Sequence, residues 1–289
     1  MTFILGIFIV FSCLLGSFYM MGGHLPVLWQ PYEYIIILGS AIGTFFVANP
    51  MKIVKESGKA AIEAIKESMP KRTDYLDILA LLFVLLREMK SKTKSEMETH
   101  IDQPQDSEIF KSYPSVLKNT DLTTFICDYC RLVLIGSARP HEIESLMEEE
   151  IQTIMRDKLK VYLAVSAMAE ALPALGIVAA VLGVIHAMGS LDQPPEVLGH
   201  LIGAALVGTF AGILFSYGLF GPLASKIKTV REKKARIYVI VKQTIIAYLN
   251  GSMPQVAVEH GRKAVSAYER PTVGELEQAT IDATLKKAA

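Results

Sequence analysis

Pro173, Thr209, Tyr217 and Pro222 are the residues through which the apolar half of this sequence can do chemistry. A proline inside a helix removes a backbone donor and leaves a carbonyl free for water or another partner. A hydroxyl in the same run orients water but does not hold a proton at neutral pH. Proton carriers usually set an Asp, Glu or His within the bilayer. Here Glu170 falls at the inner end of one apolar run, and His186 and His200 fall near the outer ends. These residues allow a water-lined path with no titratable group at its centre. If ions pass, the central carboxylate has to come from another protein.

The remaining candidates offer less. Cys127 and Cys130 form a Cys-x-x-Cys, but no second pair or nearby His completes a zinc site. Three apart on a helix, they read as core thiols in a reducing compartment. His141-Glu142 opens like a zinc protease motif, yet Ser145 stands where the second His is required. Glu148-Glu149-Glu150 reads as a solvated helix face. With no nucleophile constellation and no phosphate-binding loop, the sequence predicts neither an enzyme nor a cofactor.

The elements that must position these groups follow from charge. The 29 Lys and Arg residues fall in two blocks, from Lys52 to Lys160 and from Lys226 to Lys287. Neither residues 1–51 nor residues 161–225 contain a basic residue. Basic residues near span ends collect on the cytoplasmic side of a membrane. The chain is therefore expected to be an all-α, multi-pass inner-membrane protein with both termini and both basic blocks in the cytoplasm. A hydrophobic content of 51% and a mean hydropathy of +0.36 agree with that class. The first apolar run lacks a basic leader and a small-residue cleavage site, so it is expected to stay as an anchor.

Four spans are predicted, at about residues 3–21, 34–49, 171–188 and 198–223. The first can cross a core of about 30 Å at about 1.5 Å rise per residue. The second is short, carries Glu33 at its outer end, and is supported by Lys52 and Lys55 at its far end. The domains expected are a first hairpin (1–50), a cytoplasmic helical domain (51–166), a second hairpin (167–225) and a C-terminal helical region (226–289). Residues 78–86 are apolar but too short to span, and read as a buried core helix. Residues 55–69 and 141–156 carry apolar residues at helical spacing among charges. Small residues recur at four-residue spacing: Ala179, Gly183 and Ala187 on the third span, Ala204, Gly208, Gly212 and Ser216 on the fourth, and Gly39 and Gly43 on the second. Such stripes let backbones approach closely, and their number predicts packing into a larger ring. The basic run from Lys226 to Arg236 predicts attraction to anionic inner-membrane lipids.

At this point the residues carry a resemblance. The chain is similar to the MotA/TolQ/ExbB proton channel family, and within it to the A subunits of flagellar motor stators. The most specific pieces are Leu172-Pro173-Ala174-Leu175-Gly176, Val207-Gly208-Thr209-Phe210-Ala211-Gly212 and Gly221-Pro222-Leu223-Ala224. Ser107-Glu108-Ile109-Phe110, Tyr113-Pro114, Gly261-Arg262-Lys263 and Glu269-Arg270-Pro271 match outside the membrane.

The resemblance implies a proton channel that couples inward H⁺ flow to torque. Five A subunits would surround two MotB-type B subunits, each bringing the proton-binding Asp and a peptidoglycan anchor. It places Pro173 and Pro222 in coupling, Thr209 on the ion path and Tyr217 farther along the same helix. It sets Ala180 where sodium-driven relatives carry a Thr. Against the rotor switch protein FliG it sets Glu98, Lys90 (where the family usually has Arg), Arg87 and Glu150. Two other readings stay open: an ExbB- or TolQ-like energiser, whose family pattern has three spans, and a non-conducting membrane scaffold. No nucleic-acid partner is expected.

Overall fold

Hydrophobicity and turn chemistry give this chain helices from end to end. The computed structural model describes residues 2–136 and 139–288, with side chains described to residue 284, and every regular element among them is helical. Among the described residues, four helices are long and apolar enough to cross a membrane: Thr2–Met20, Leu25–Ala48, Pro140–Met188 and Pro195–Leu249. The chain divides into two compact units, Met1–Ser68 with Asp157–Arg231, and Met69–Arg156 with Glu232–Ala289.

In the first unit, Thr2–Met20 buries none of its residues within the chain. A helix that is apolar all round needs hydrocarbon or protein on every side. The second apolar helix starts nearer to the N-terminus than the sequence suggests. Pro26 and Pro31 each take a first-turn position, where a missing N–H costs no hydrogen bond. Pro26 lies in the short turn Leu25–Leu28 and Pro31 at the head of the longer helix, with Trp29 and Gln30 non-helical between them. Ile37 and Ala41 then pack on Leu172, Ala179 and Ala211.

The amphipathic stretch predicted at 55–69 is the helix Met51–Ile65, which buries Ala60 and Ala64 against Val161, Val165, Ala224 and Ile227. Two carboxylates on it meet the buried Arg231 guanidinium, Glu56 at 3.4 Å and Glu63 at 3.7 Å. Just beyond, Glu67 accepts from the Thr2 hydroxyl at 2.5 Å and from Lys226 at 2.9 Å. The Thr2 hydrogen bond, followed by that of Lys226, draws the Glu67 carboxyl down to about 2.

In the second unit the nine-residue apolar run behaves as expected. All of residues 78–86 are buried within the helix Arg72–Ser91, with Leu79, Leu81, Leu82, Leu85 and Leu86 fully covered. Its partners include Phe125, Ile126 and Tyr129 of Thr120–Ile135, and Tyr238, Ile240 and Val241. Cys127 and Cys130 sit in this core, and burial pushes the Cys127 thiol up to about 12. That is the environment of an inert structural thiol.

The tail closes the same core. Gly261 approaches so near that a Cβ there would stand 2.1 Å from the Thr244 hydroxyl oxygen. The buried Arg262 grips Glu259 through two 2.6 Å hydrogen bonds and donates to the Pro271 carbonyl at 2.7 Å.

The segments read separately at 141–156 and 171–188 are one 49-residue helix, Pro140–Met188. The fourth span continues without a break into its basic run, ending at Leu249.

Candidate functional site

The third and fourth spans meet along glycines, and the contact is backbone against backbone. A Cβ on Gly176 would lie 2.9 Å from the Gly208 carbonyl oxygen, and one on Gly212 would lie 2.7 Å from the Leu172 oxygen. Farther out, a Cβ on Gly183 would lie 2.7 Å from that of Ala205. Gly183, Gly208 and Gly212 of the small-residue stripes thus pack within one chain. Gly39 and Gly43 of the second span, by contrast, look onto open space.

This seam fixes the predicted path residues in pairs. A Cβ on Gly208 would come within 3.3 Å of the Ala180 nitrogen. Thr209, the next residue, therefore shares its depth with Ala180, and both are half-buried. Pro173 lies inside the long helix beside Leu172, whose carbonyl faces Gly212.

Pro222 and Tyr217 stand together elsewhere. They line a groove of about 470 Å³ with Thr2, Phe3, Gly6 and Ile7 of the first span, and Tyr217 is 74% exposed. The backbone around them is a π-helix, Leu214–Phe220. Pro222 has no N–H to give and crowds the carbonyl four residues back, so the helix widens ahead of it. The Gly221 N–H accordingly donates to the Ser216 carbonyl, five residues back. A Cβ on Gly221 would sit 2.9 Å from that oxygen, so the wide turn requires glycine there.

Glu33 is the residue that sequence reasoning missed. The sequence places it at the outer end of the second predicted span and assigns it no role. Its side chain enters the seam instead: Oε2 lies 2.9 Å and Oε1 3.4 Å from where Cβ atoms on Gly208 and Gly183 would be. The residue is 9% exposed, and Oε2 is buried without a hydrogen-bond partner. A signal was present, since Glu33 is the one charged residue in the first 51. An ionisable group in an apolar span marks a functional candidate.

The rotor-facing candidates all belong to the second unit. Arg87 donates to the Thr284 hydroxyl at 2.6 Å, lies over the Phe83 ring and pairs with buried Glu88 at 3.5 Å. Lys90 is exposed on the last turn of its helix, its ammonium 3.2 Å from the Met253 sulfur. Glu98 follows on the next helix, Lys94–Asp102, and faces Lys94 at 4.0 Å. Glu150 accepts from the Tyr129 hydroxyl at 2.7 Å, and Glu148 pairs with Lys242. The acidic run is therefore tied to the core at two of its three positions. No cluster of His, Cys, Asp or Glu suited to a metal occurs among the described residues.

Comparison with known proteins covers almost the whole chain. Residues 4–93 match the Motility protein A N-terminal family, and residues 117–238 match the MotA/TolQ/ExbB proton channel family. Motility protein A of Salmonella typhimurium is 41% identical over 278 residues, 96% of this chain and 94% of that one. Motility protein A of Escherichia coli shows the same identity and coverage. Chemotaxis protein LafT of Vibrio parahaemolyticus is 34% identical over 95% of this chain and 96% of its own. Among solved structures, C. jejuni MotAB superposes with a TM-score of 0.74 at 19% identity, over 94% of this chain and 98% of that one. The MotAB stator complex of Bacillus subtilis gives 0.70 at 20% identity, over 93% and 98%.

Proposed function

Because this chain belongs to the motility protein A branch of the MotA/TolQ/ExbB proton channel family, we propose that it works as the A subunit of a flagellar motor stator. With a B subunit it forms a proton channel that couples inward H⁺ flow to torque on the rotor. It is a multi-pass inner-membrane protein and a motor component, not an enzyme.

The observation that carries this reading is the length of the likeness. Identity of 41% runs through 96% of the chain, so it includes the apolar spans and the charged unit alike. The four apolar helices also favour it over an ExbB- or TolQ-like energiser, for which the family pattern has three spans.

The finer assignments are part of the proposal. Five A subunits surround two B subunits, whose Asp carries the proton past the layer of Thr209 and Ala180. Movement at Pro173 and at the widened turn before Pro222 transmits that event along the two long helices. Tyr217 flanks the second of these hinges. Lys90, Glu98, Arg87 and Glu150 present charge to the switch protein FliG, with both termini in the cytoplasm. The basic run after Lys226 lies among anionic lipid headgroups.

Complementation tests the function directly. Expressed with a B subunit in a strain lacking its own stators, the chain restores swimming, and a protonophore stops it. Cells that assemble both subunits in the membrane yet carry no torque, with normal flagella, would overturn the stator reading.

A further inference from the structure

We propose that Glu33 is a proton-binding residue of the A subunit, which ionises when the seam between the third and fourth spans opens to water. The inference rests on the stator reading for its role and on the seam geometry for its chemistry. The carboxyl reaches between two backbones at the only kind of place that admits it, opposite glycines on both helices. Oε2 would collide with a side chain at Gly208, and Oε1 is in contact distance of one at Gly183.

The groups around it supply no charge. On its own helix, Tyr34 gives its hydroxyl to the Leu28 carbonyl, and Tyr32 is exposed. On the third span Ala179 and Gly183 face it, and the nearest titratable group, His186, is exposed. On the fourth span Ala205 and Gly208 face it, with His200 and Glu196 exposed toward the helix start. His24, before the turn Leu25–Leu28, is exposed as well.

A carboxyl held against two glycine backbones, with Oε2 buried and lacking any donor, is held as the neutral acid, because an unpaired buried charge is the costlier state. When the seam parts and water enters, the acid gives up its proton: –COOH + H₂O → –COO⁻ + H₃O⁺. Reclosure requires the reverse step. The same glycines that let the helices touch thus make closure of the seam conditional on protonation. The carboxyl lies against Gly208, where an added Cβ would also stand 3.3 Å from the Ala180 nitrogen, and Thr209 is the next residue in the chain. A proton bound or released there changes the field at the ion path.

Infrared spectroscopy of the A subunit in lipid reads the carboxyl itself. The wild type is expected to show a protonated-carboxyl stretch at neutral pH that Glu33→Gln abolishes and Glu33→Asp shifts. In cells with the B subunit, motor speed should vary with external pH in the wild type. That dependence should be lost in Glu33→Gln and kept by Glu33→Asp. Retention of the full band and of the wild-type pH profile in Glu33→Gln would overturn the proposal. So would loss of speed in Glu33→Gln with no change of band, which marks a packing role alone. Failure of the wild type to drive swimming would sink the stator reading, while the infrared band would still report on Glu33.

Discussion

Gly212 packs against Gly176 so closely that a Cβ on the former would lie 2.8 Å from the latter's Cα. Neither backbone can yield as a flexible side chain would. Gly212→Ala is therefore expected to force the spans apart, at the roughly 1–3 kcal/mol typical of overpacking, and to abolish swimming. Gly203→Ala, where an added Cβ meets nothing within 4 Å, should swim normally. Equal behaviour of the two variants in soft agar, at equal membrane levels, would mean that the seam is not tight in the working motor.

Lys90 and Glu98 are exposed enough for their charges to act through solvent. Single neutralisations should reduce swimming only modestly, since exposed pairs contribute about 0–1 kcal/mol. Reversing both together should impair it far more, and reversing the rotor's complementary charges should restore part of the loss. Normal swimming by the double reversal would reduce these residues to solvated surface.

Orientation follows from the basic blocks. A single cysteine introduced at His24 or Asp192, in a background without the native thiols, should react with an impermeant reagent added outside intact cells. One at Lys111 should react only after permeabilisation. Labelling at Lys111 in intact cells would invert the proposed topology.

Acid should release the junction at Glu67. Its folded-state carboxyl is drawn below the ordinary value of 4.5 to about 2, chiefly by the Thr2 hydroxyl and then by Lys226. A depressed carboxyl contributes stability above its unfolded value, and that contribution is lost as pH falls through the folded one. The tie should thus be complete at neutral pH and fade between about pH 4.5 and about pH 2. Glu67→Gln should lower thermal stability at pH 7 and match the wild type near pH 2. A difference that persisted unchanged at acid pH would show that charge plays no part there.

Ion choice is expected to be H⁺. A dehydrated Na⁺ needs several oxygen ligands, and the layer of Thr209 has Ala180 across the seam, with no second side-chain hydroxyl at that position. Motor speed should be insensitive to external Na⁺ at a fixed proton-motive force and should collapse with a protonophore. Speed that scaled with Na⁺ and survived the protonophore would show that Ala180 does not set the ion.

By itself the sequence determined the four apolar helices, the all-helical class, the buried run at 78–86 and the core thiols Cys127 and Cys130. Each is a local property: a residue's hydrophobicity and its spacing to near neighbours decide whether it seeks lipid, core or water. The tertiary structure decided which faces meet. Gly176 and Gly212 were legible as small residues, but their pairing depends on how two helices 36 positions apart cross. Pro222 was legible as a lost backbone donor, while the widened turn before it and its facing the first span were not. Glu33 shows the limit most clearly. Its charge was plain in the sequence, but its place in the seam exists only because two glycines on other helices leave room for a carboxyl.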